Sequence, residues 1–138
     1  MNNDKIKEAA QKIKQRYNTA DPFAIAEKLN IDVEWTNLFL ERPFAKTTYD
    51  KGQPLVLINA RIKHLPSRNY TMAHELGHVI LHEGLSTYYT GVRFGHSKLE
   101  HEADIFAAAL LGLLYIEEND RYPDTLNELV NLYGMPKE

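Results

Sequence analysis

Residues 71–80 read Thr71-Met72-Ala73-His74-Glu75-Leu76-Gly77-His78-Val79-Ile80, and the spacing inside this stretch sets both the element it forms and the chemistry it can carry. Ala73, Leu76, Gly77 and Ile80 recur three and four residues apart, the period of an amphipathic helix. Pro66 and Ser67 can open that helix and Gly84 can close it. His74 and His78 then differ by about 40° around the axis, so both imidazoles project from one face. Glu75 is rotated by about 100° from His74, beside that face rather than on it. Two imidazoles so placed can share one zinc ion at about 2.0–2.1 Å, and the adjacent carboxylate is placed to touch a bound water instead of the ion.

Hydrolytic zinc needs three protein ligands and one open position, where a water becomes acidic enough to attack a polarised carbonyl. Glu75 is the expected general base, taking the water's proton and returning it to the leaving amine. The third ligand must come from elsewhere in the chain. An extended metzincin motif would need Gly at position 81 and His at 84, and the chain has Leu81 and Gly84. His82 continues the same face, but each turn climbs about 5.4 Å, too far along the axis for the same ion. It reads as a surface residue or as support for a ligand.

The segment Leu99-Glu100-His101-Glu102-Ala103-Asp104-Ile105-Phe106-Ala107 is the expected source. Glu100 and Asp104 are four residues apart and share a face with the small or apolar Ala103, Ala107 and Leu111, which let this helix approach the first. Glu100 can then reach the ion while Asp104 accepts the remaining N–H of a ligand histidine. Glu102 lies about 200° from Glu100 and is expected to point away. A competing reading makes Ser97-Lys98-Leu99-Glu100 a capping box at the helix start. Glu100 is the preferred ligand, with Glu102 and His101 as the alternatives.

Working outward, residues 4–17 place Ile6, Ala9, Ala10, Ile13 and Tyr17 on one helical stripe. Asp21-Pro22 opens a short helix that Asn30 closes. Ile31, Val33 and Trp35 alternate with Asp32, Glu34 and Thr36, the period of a half-buried strand. A second strand from about Phe44 to Tyr49 turns through Asp50-Lys51-Gly52-Gln53 and returns as Leu55-Val56-Leu57-Ile58, apolar on both faces as if helices covered each. Ser86 to His96 reads as loop or short strand, Ser97 as the cap of an apolar helix to about Leu114, and Pro123-Asp124 as the start of a last helix to about Tyr133. Helices flanking a small sheet make an α+β domain.

The chain has 138 residues, of which 43% are hydrophobic and 25% charged, ordinary values for one globular domain. A single domain over residues 1–138 is expected, with the N-terminal helix packed on it. The net charge of −3 provides no global attraction for nucleic acid or anionic lipid. There is no cysteine, which excludes disulfides, thiolate zinc sites and cysteine nucleophiles and leaves a reducing compartment as the expectation. No membrane span or signal segment is evident, so a cytoplasmic protein is expected. Direct DNA binding is disfavoured because a strand begins at Ile31, where a recognition helix would have to stand.

His74-Glu75-Leu76-Gly77-His78, followed about twenty residues on by Glu100, Ala103, Asp104, Phe106 and Ala107 in an E-x-x-A-D-x-F-A pattern, resembles the ImmA/IrrE family of metallo-endopeptidases. The segments Ala26 to Val33 and Val56-Leu57-Ile58-Asn59 are also similar to that family's lead-in, so the resemblance spans roughly residues 20 to 112. It implies a minimal zincin-like domain in which a small, mostly antiparallel sheet packs on the H-E-x-x-H helix and a second ligand-bearing helix. It implies one zinc per chain on His74, His78 and Glu100, Glu75 as general base, and Asp104 supporting a ligand histidine. The implied substrate is a helix-turn-helix repressor, cleaved to derepress its genes. The chain departs from the family in having Leu110-Leu111-Gly112-Leu113-Leu114 where a Met-Pro pair is frequent, and it shows no added sensor or DNA-binding domain.

Two matters stay open at the level of sequence. Tyr88, Tyr89, Arg93 and His96, between the two site helices, are candidate donors to the oxyanion of a tetrahedral intermediate. A substrate backbone could add to the sheet edge, but the edge strand is not evident. The alternative function is a zinc-bearing module that binds a repressor without cutting it, against which the presence of Glu75 argues.

Overall fold

The computed structural model describes residues 1–82 and 93–137, the side chains of residues 93–96 excepted. Helix α1 (Asn3–Tyr17) starts at Asn2, whose side chain accepts the Lys5 N–H at 2.9 Å, and it buries Ile6 and Ala10. Helix α2 (Pro22–Lys28) opens on Asp21, whose Oδ1 accepts the N–H groups of Phe23 and Ala24. Asn30, in the left-handed region at φ 59°, turns the chain into β1 (Asp32–Thr36). The strands β2 (Ala45–Asp50) and β3 (Gln53–Asn59) form a hairpin. Its two-residue turn has positive φ at both Lys51 and Gly52, the twist that suits antiparallel strands.

The sheet order is β1-β3-β2, with β3 antiparallel to β2 and parallel to β1. The expectation of a mostly antiparallel sheet therefore describes the hairpin, and the whole sheet is mixed. The parallel pair arises because residues 37–44 carry the chain across to the far side of β3 before the hairpin begins. Register then decides which side chains face the helices. Thr47 pairs with Val56 and Ala45 with Ile58, and cross-strand partners share a face. Val56 and Ile58 are fully buried in the core with Met72 and Leu76, so Thr47 faces the helical layer as well.

Leu55 and Leu57 lie on the opposite face beside Asp32, Glu34 and Lys46, and are only half-buried. Helices cover one face of β3, not both: the charged neighbours on the other face keep that side wet. At the end of β3, buried Asn59 donates from Nδ2 to the carbonyls of Leu40 (2.7 Å) and Pro43 (3.2 Å), and its backbone N–H donates to Phe44 at 2.7 Å. One polar side chain thus holds the 40–44 segment against the sheet.

A single 3-10 turn (Ala60–Ile62) leads to α3 (Ser67–His82). The expected stop at Gly84, and the loop expected from Ser86 up to residue 92, lie outside the described residues. Helix α4 spans Arg93–Asn119, which corrects both of its expected ends. Ser97 sits inside the helix, so it cannot be an N-cap. The C-terminus extends past Leu114 because Tyr115 is buried and its hydroxyl donates to Glu128 at 2.7 Å; Asp120, at φ 56°, closes it. Helix α5 (Leu126–Tyr133) follows Thr125, with the Glu128 carboxylate accepting the N–H groups of Asp124 and Thr125. It starts beyond the expected Pro123-Asp124.

Helices α3 and α4 pack through Met72, Ala73 and Leu76 on one side and Phe106, Ala107, Leu110 and Leu111 on the other, all fully buried. Phe106 sits against Gly77, where an added Cβ would lie 3.1 Å from Phe106 Cδ1. Gly134, which ends α5, is at φ 72°, and a Cβ there would lie 2.2 Å from Ser67 Cα and 2.4 Å from Ser67 N. Both are backbone atoms that cannot swing aside. Gly134→Ala is therefore expected to destabilise the fold by more than about 2 kcal/mol, since a left-handed conformation alone costs an alanine about 1–2 kcal/mol. Gly112 has nothing within 4 Å of its virtual Cβ, so Gly112→Ala should instead gain up to about 1 kcal/mol of helix propensity. Urea denaturation midpoints moving in opposite directions would bear this out; a neutral Gly134→Ala would refute the close approach of α5 to α3.

Candidate metal centre

One face of α3 carries Tyr70, His74, His78 and His82, each four residues from the next. The ring centroids of the three imidazoles are 4.8 Å and 5.3 Å apart in succession. Helix α4 brings Glu100 against this ladder, with Oε2 2.9 Å from His74 Nε2 and Oε1 3.0 Å from His78 Nε2. A single carboxylate thus spans the two imidazole nitrogens. The capping-box alternative for Glu100 fails, because its side chain is committed to the histidines and its backbone lies within the helix. Donor atoms of His74, Glu75 and His78 lie within 4.8 Å of one another.

Asp104, one turn beyond Glu100, accepts the Tyr70 hydroxyl at 2.6 Å and places the same oxygen 2.8 Å from His74 Nδ1. That second contact is close but poorly aligned, and the buried Nδ1 makes no hydrogen bond of good angle. Although burial disfavours a charged His74, the Asp104 and Glu100 carboxylates push its pKa up to about 10. The bonds from His74 and His78 hold Glu100 well below the usual carboxylate range, outweighing its partial burial. Burial and the bond to Asp104 raise Tyr70 well above the usual phenol range.

Glu102 behaves differently from the expectation. Its Oε1 lies 2.8 Å from His82 Nε2 and its Oε2 3.0 Å from the Met1 amino group, and the residue is 7% exposed. Glu100 and Glu102 are about 200° apart, which places them on opposite flanks of the α4 stripe Ala103, Phe106, Ala107 and Leu110 that packs on α3. The two carboxylates approach the histidine ladder from either side, Glu100 at His74 and His78, Glu102 at His82. Burial works against the charge on Glu102, but the Met1 ammonium and His82 hold its pKa below the usual value. His101, the other alternative ligand, is exposed.

Glu75 is 9% exposed, and its Oε1 accepts the Thr47 hydroxyl of β2 at 2.7 Å. This contact had no counterpart in the sequence reading; strand alternation alone could show that Thr47 faces inward, but not what it meets. Tyr70 was legible in principle, four residues before His74 on the same face. Tyr88 and Tyr89 lie outside the described residues, as do the side chains of Arg93 and His96. A cleft of about 910 Å³ opens beside Glu75 and Glu100, walled by Phe44, Ile105, Ala108, Leu126 and Met135. Strand β2, which borders it, is one of the two edge strands of the sheet among the described residues.

Two imidazole nitrogens and a carboxylate oxygen, drawn from two helices onto one point, are a donor set that suits zinc. Each histidine also has a partner at its other nitrogen: His74 faces Asp104, and His78 Nδ1 lies 3.2 Å from His82 Nδ1. Such outer partners are the usual company of metal-binding histidines. No helix among the described residues is long and apolar enough to cross a membrane.

A peptidase-family model, described as the IrrE N-terminal-like domain, matches residues 26–138. The chain is 33% identical over 137 residues to a protein of Bacillus phage phi105 named "Uncharacterized immunity region protein 2", covering 96% of this chain and 85% of the phage protein. It is 28% identical over 108 residues to "Metallopeptidase ImmA" of Bacillus subtilis (strain 168), covering 77% of this chain and 62% of that protein. Helix α1 precedes the segment matched by the family model.

Proposed function

We propose that this chain, which belongs to the peptidase family of the IrrE N-terminal-like domain, is a zinc endopeptidase that cuts a helix-turn-helix transcriptional repressor. The observation that carries the reading is the Glu100 carboxylate spanning His74 Nε2 and His78 Nε2, with Glu75 beside them at the head of a cleft. His74, His78 and Glu100 are the ligands, and Glu75 is the general base. Zinc, when bound there, supplies Lewis acidity toward the scissile carbonyl and the attacking water.

The protein's own groups do the rest. Thr47 Oγ1–H occupies Oε1 of Glu75, which leaves Oε2 as the atom that takes the water's proton and passes it to the leaving nitrogen. Asp104 holds the His74 side of the site, with its carboxylate 2.8 Å from His74 Nδ1 and itself held by the Tyr70 hydroxyl. Strand β2 lies at an edge of the sheet among the described residues, where an extended peptide can align along it, and the apolar cleft walls take its side chains. A repressor substrate is supported by the resemblance to the ImmA/IrrE family and by a relative whose name places it in a phage immunity region.

The test is co-expression of the chain with candidate helix-turn-helix repressors, the fragments being read by immunoblot and mass spectrometry. Cleavage by the wild type and not by Glu75→Gln supports the proposal. Tight binding of an intact repressor by both would instead establish the non-cutting, repressor-sequestering alternative.

Thr47 provides a separate prediction. A hydrogen bond to a charged group contributes about 1.5–3 kcal/mol, so Thr47→Val should lower kcat about tenfold or more with metal content unchanged. Thr47→Ser, which keeps the hydroxyl, should stay near wild type. An unchanged kcat in Thr47→Val would remove the hydroxyl from the mechanism.

A further inference from the structure

Behind the proposed ligand set, and outside the cleft, lies a line of buried polar groups that the hydrolytic reading does not use. His78 points Nε2 at Glu100 (3.0 Å) and Nδ1 at His82 Nδ1 (3.2 Å). His82 points Nε2 at Glu102 Oε1 (2.8 Å). His82 is 2% exposed and Glu102 7%, so water is not available to satisfy either, and each must find its partner within the chain.

The Glu102 end of this line decides which of the two facing Nδ1 atoms donates. An ionised carboxylate accepts hydrogen bonds and donates none, so His82 carries its proton on Nε2, facing Glu102. A neutral imidazole has one donor and one acceptor nitrogen, so His82 Nδ1 offers a lone pair. The short contact between the two Nδ1 atoms then requires the proton to sit on His78 Nδ1. His78 Nε2, which donates to the Glu100 carboxylate in the metal-free site, is then the nitrogen that an ion would take in place of that proton.

We propose that His82 and Glu102 are positioning residues for the metal site: a buried relay that fixes the tautomer and ring orientation of His78. The inference rests on the ligand set proposed above. It adds an asymmetry at the outer nitrogens of the two ligand histidines: His74 Nδ1 faces the Asp104 carboxylate directly, whereas His78 Nδ1 reaches Glu102 only through a second imidazole. The relay also explains why Glu102, on the far flank of α4 from Glu100, is buried at all.

The relay makes a prediction about His82 that packing alone does not. His82→Leu fills the space but cannot accept the His78 Nδ1–H; His82→Gln has an amide oxygen that can. Loss of such an outer partner typically weakens metal binding about 10- to 100-fold. Zinc affinity, measured by competition with a chromophoric chelator, should fall by about that factor in His82→Leu and stay within about threefold of wild type in His82→Gln. Long-range nitrogen–proton NMR of the wild type should place the His82 proton on Nε2 both with and without zinc, which reads the relay independently of any variant's stability.

Equal zinc affinity in wild type and His82→Leu would overturn the proposal, as would equal losses in the Leu and Gln variants or a His82 proton found on Nδ1. A wild type that binds no zinc would remove the ligand set itself, and the relay's role with it. A wild type that binds zinc while His82→Leu binds equally well would remove the relay alone.

Discussion

Glu75→Gln should keep one zinc per chain and lose hydrolysis by about 10²- to 10⁴-fold, the range associated with a positioned general base. The substitution is nearly isosteric, and the amide oxygen can still accept the Thr47 hydroxyl that Glu75 Oε1 accepts at 2.7 Å. What the amide lacks is a site of sufficient basicity for the water's proton. Buried Glu75 lies next to His74 in sequence but is not one of the two side chains that Glu100 bridges. Metal retention and catalytic loss should therefore separate cleanly, read by mass spectrometry of the metal content and by the rate of repressor cleavage. Cleavage by Glu75→Gln at the wild-type rate would strip Glu75 of its role.

Glu100→Ala should abolish stoichiometric zinc after dialysis, and with it all hydrolysis, whereas Glu102→Ala should still hold one zinc per chain when zinc is in excess. Two imidazoles without the carboxylate leave a two-ligand site, and the carboxylate that remains on the other flank of α4 is bound to His82. The pH dependence has a definite sign. In the free site the carboxylates raise His74 to about 10 against the effect of burial, so near neutral pH an incoming ion displaces a proton. Binding accompanied by proton release weakens as pH falls, and zinc should be lost progressively on acidification. Retention of zinc by Glu100→Ala together with loss in Glu102→Ala would reverse the assignment of the third ligand.

The elements closest to the site were the most legible because their signals are local. Helix α3 follows from an apolar stripe, and the common face of His74 and His78 follows from helical geometry alone. The hairpin follows from an Asp50-Lys51-Gly52-Gln53 turn between two strand-like runs, and its two positive φ values are what that turn requires. The start of α4 was misread because Ser97 and Glu100 stand at capping-box spacing, while the helix is already under way at Arg93. Its end was misread because the burial of Tyr115 depends on a bond to Glu128 in α5, a contact between separate elements.

By itself, then, the sequence determined an α+β chain with two imidazoles on one helical face, a glutamate at their side, and a second helix carrying Glu100 and Asp104 one turn apart. Those relations depend only on the 3.6-residue period, which any helix imposes on its own residues. Tertiary structure alone decided that β2 is the edge strand bordering the cleft, that Thr47 meets Glu75, and that Glu102 meets His82. Each of these depends on strand register or on how two helices pack, quantities set by burial across elements far apart in the chain. A rotation of 200° reads as pointing away on an isolated helix. On a helix whose contact stripe lies between Glu100 and Glu102, the same rotation brings both carboxylates to the histidines from opposite sides.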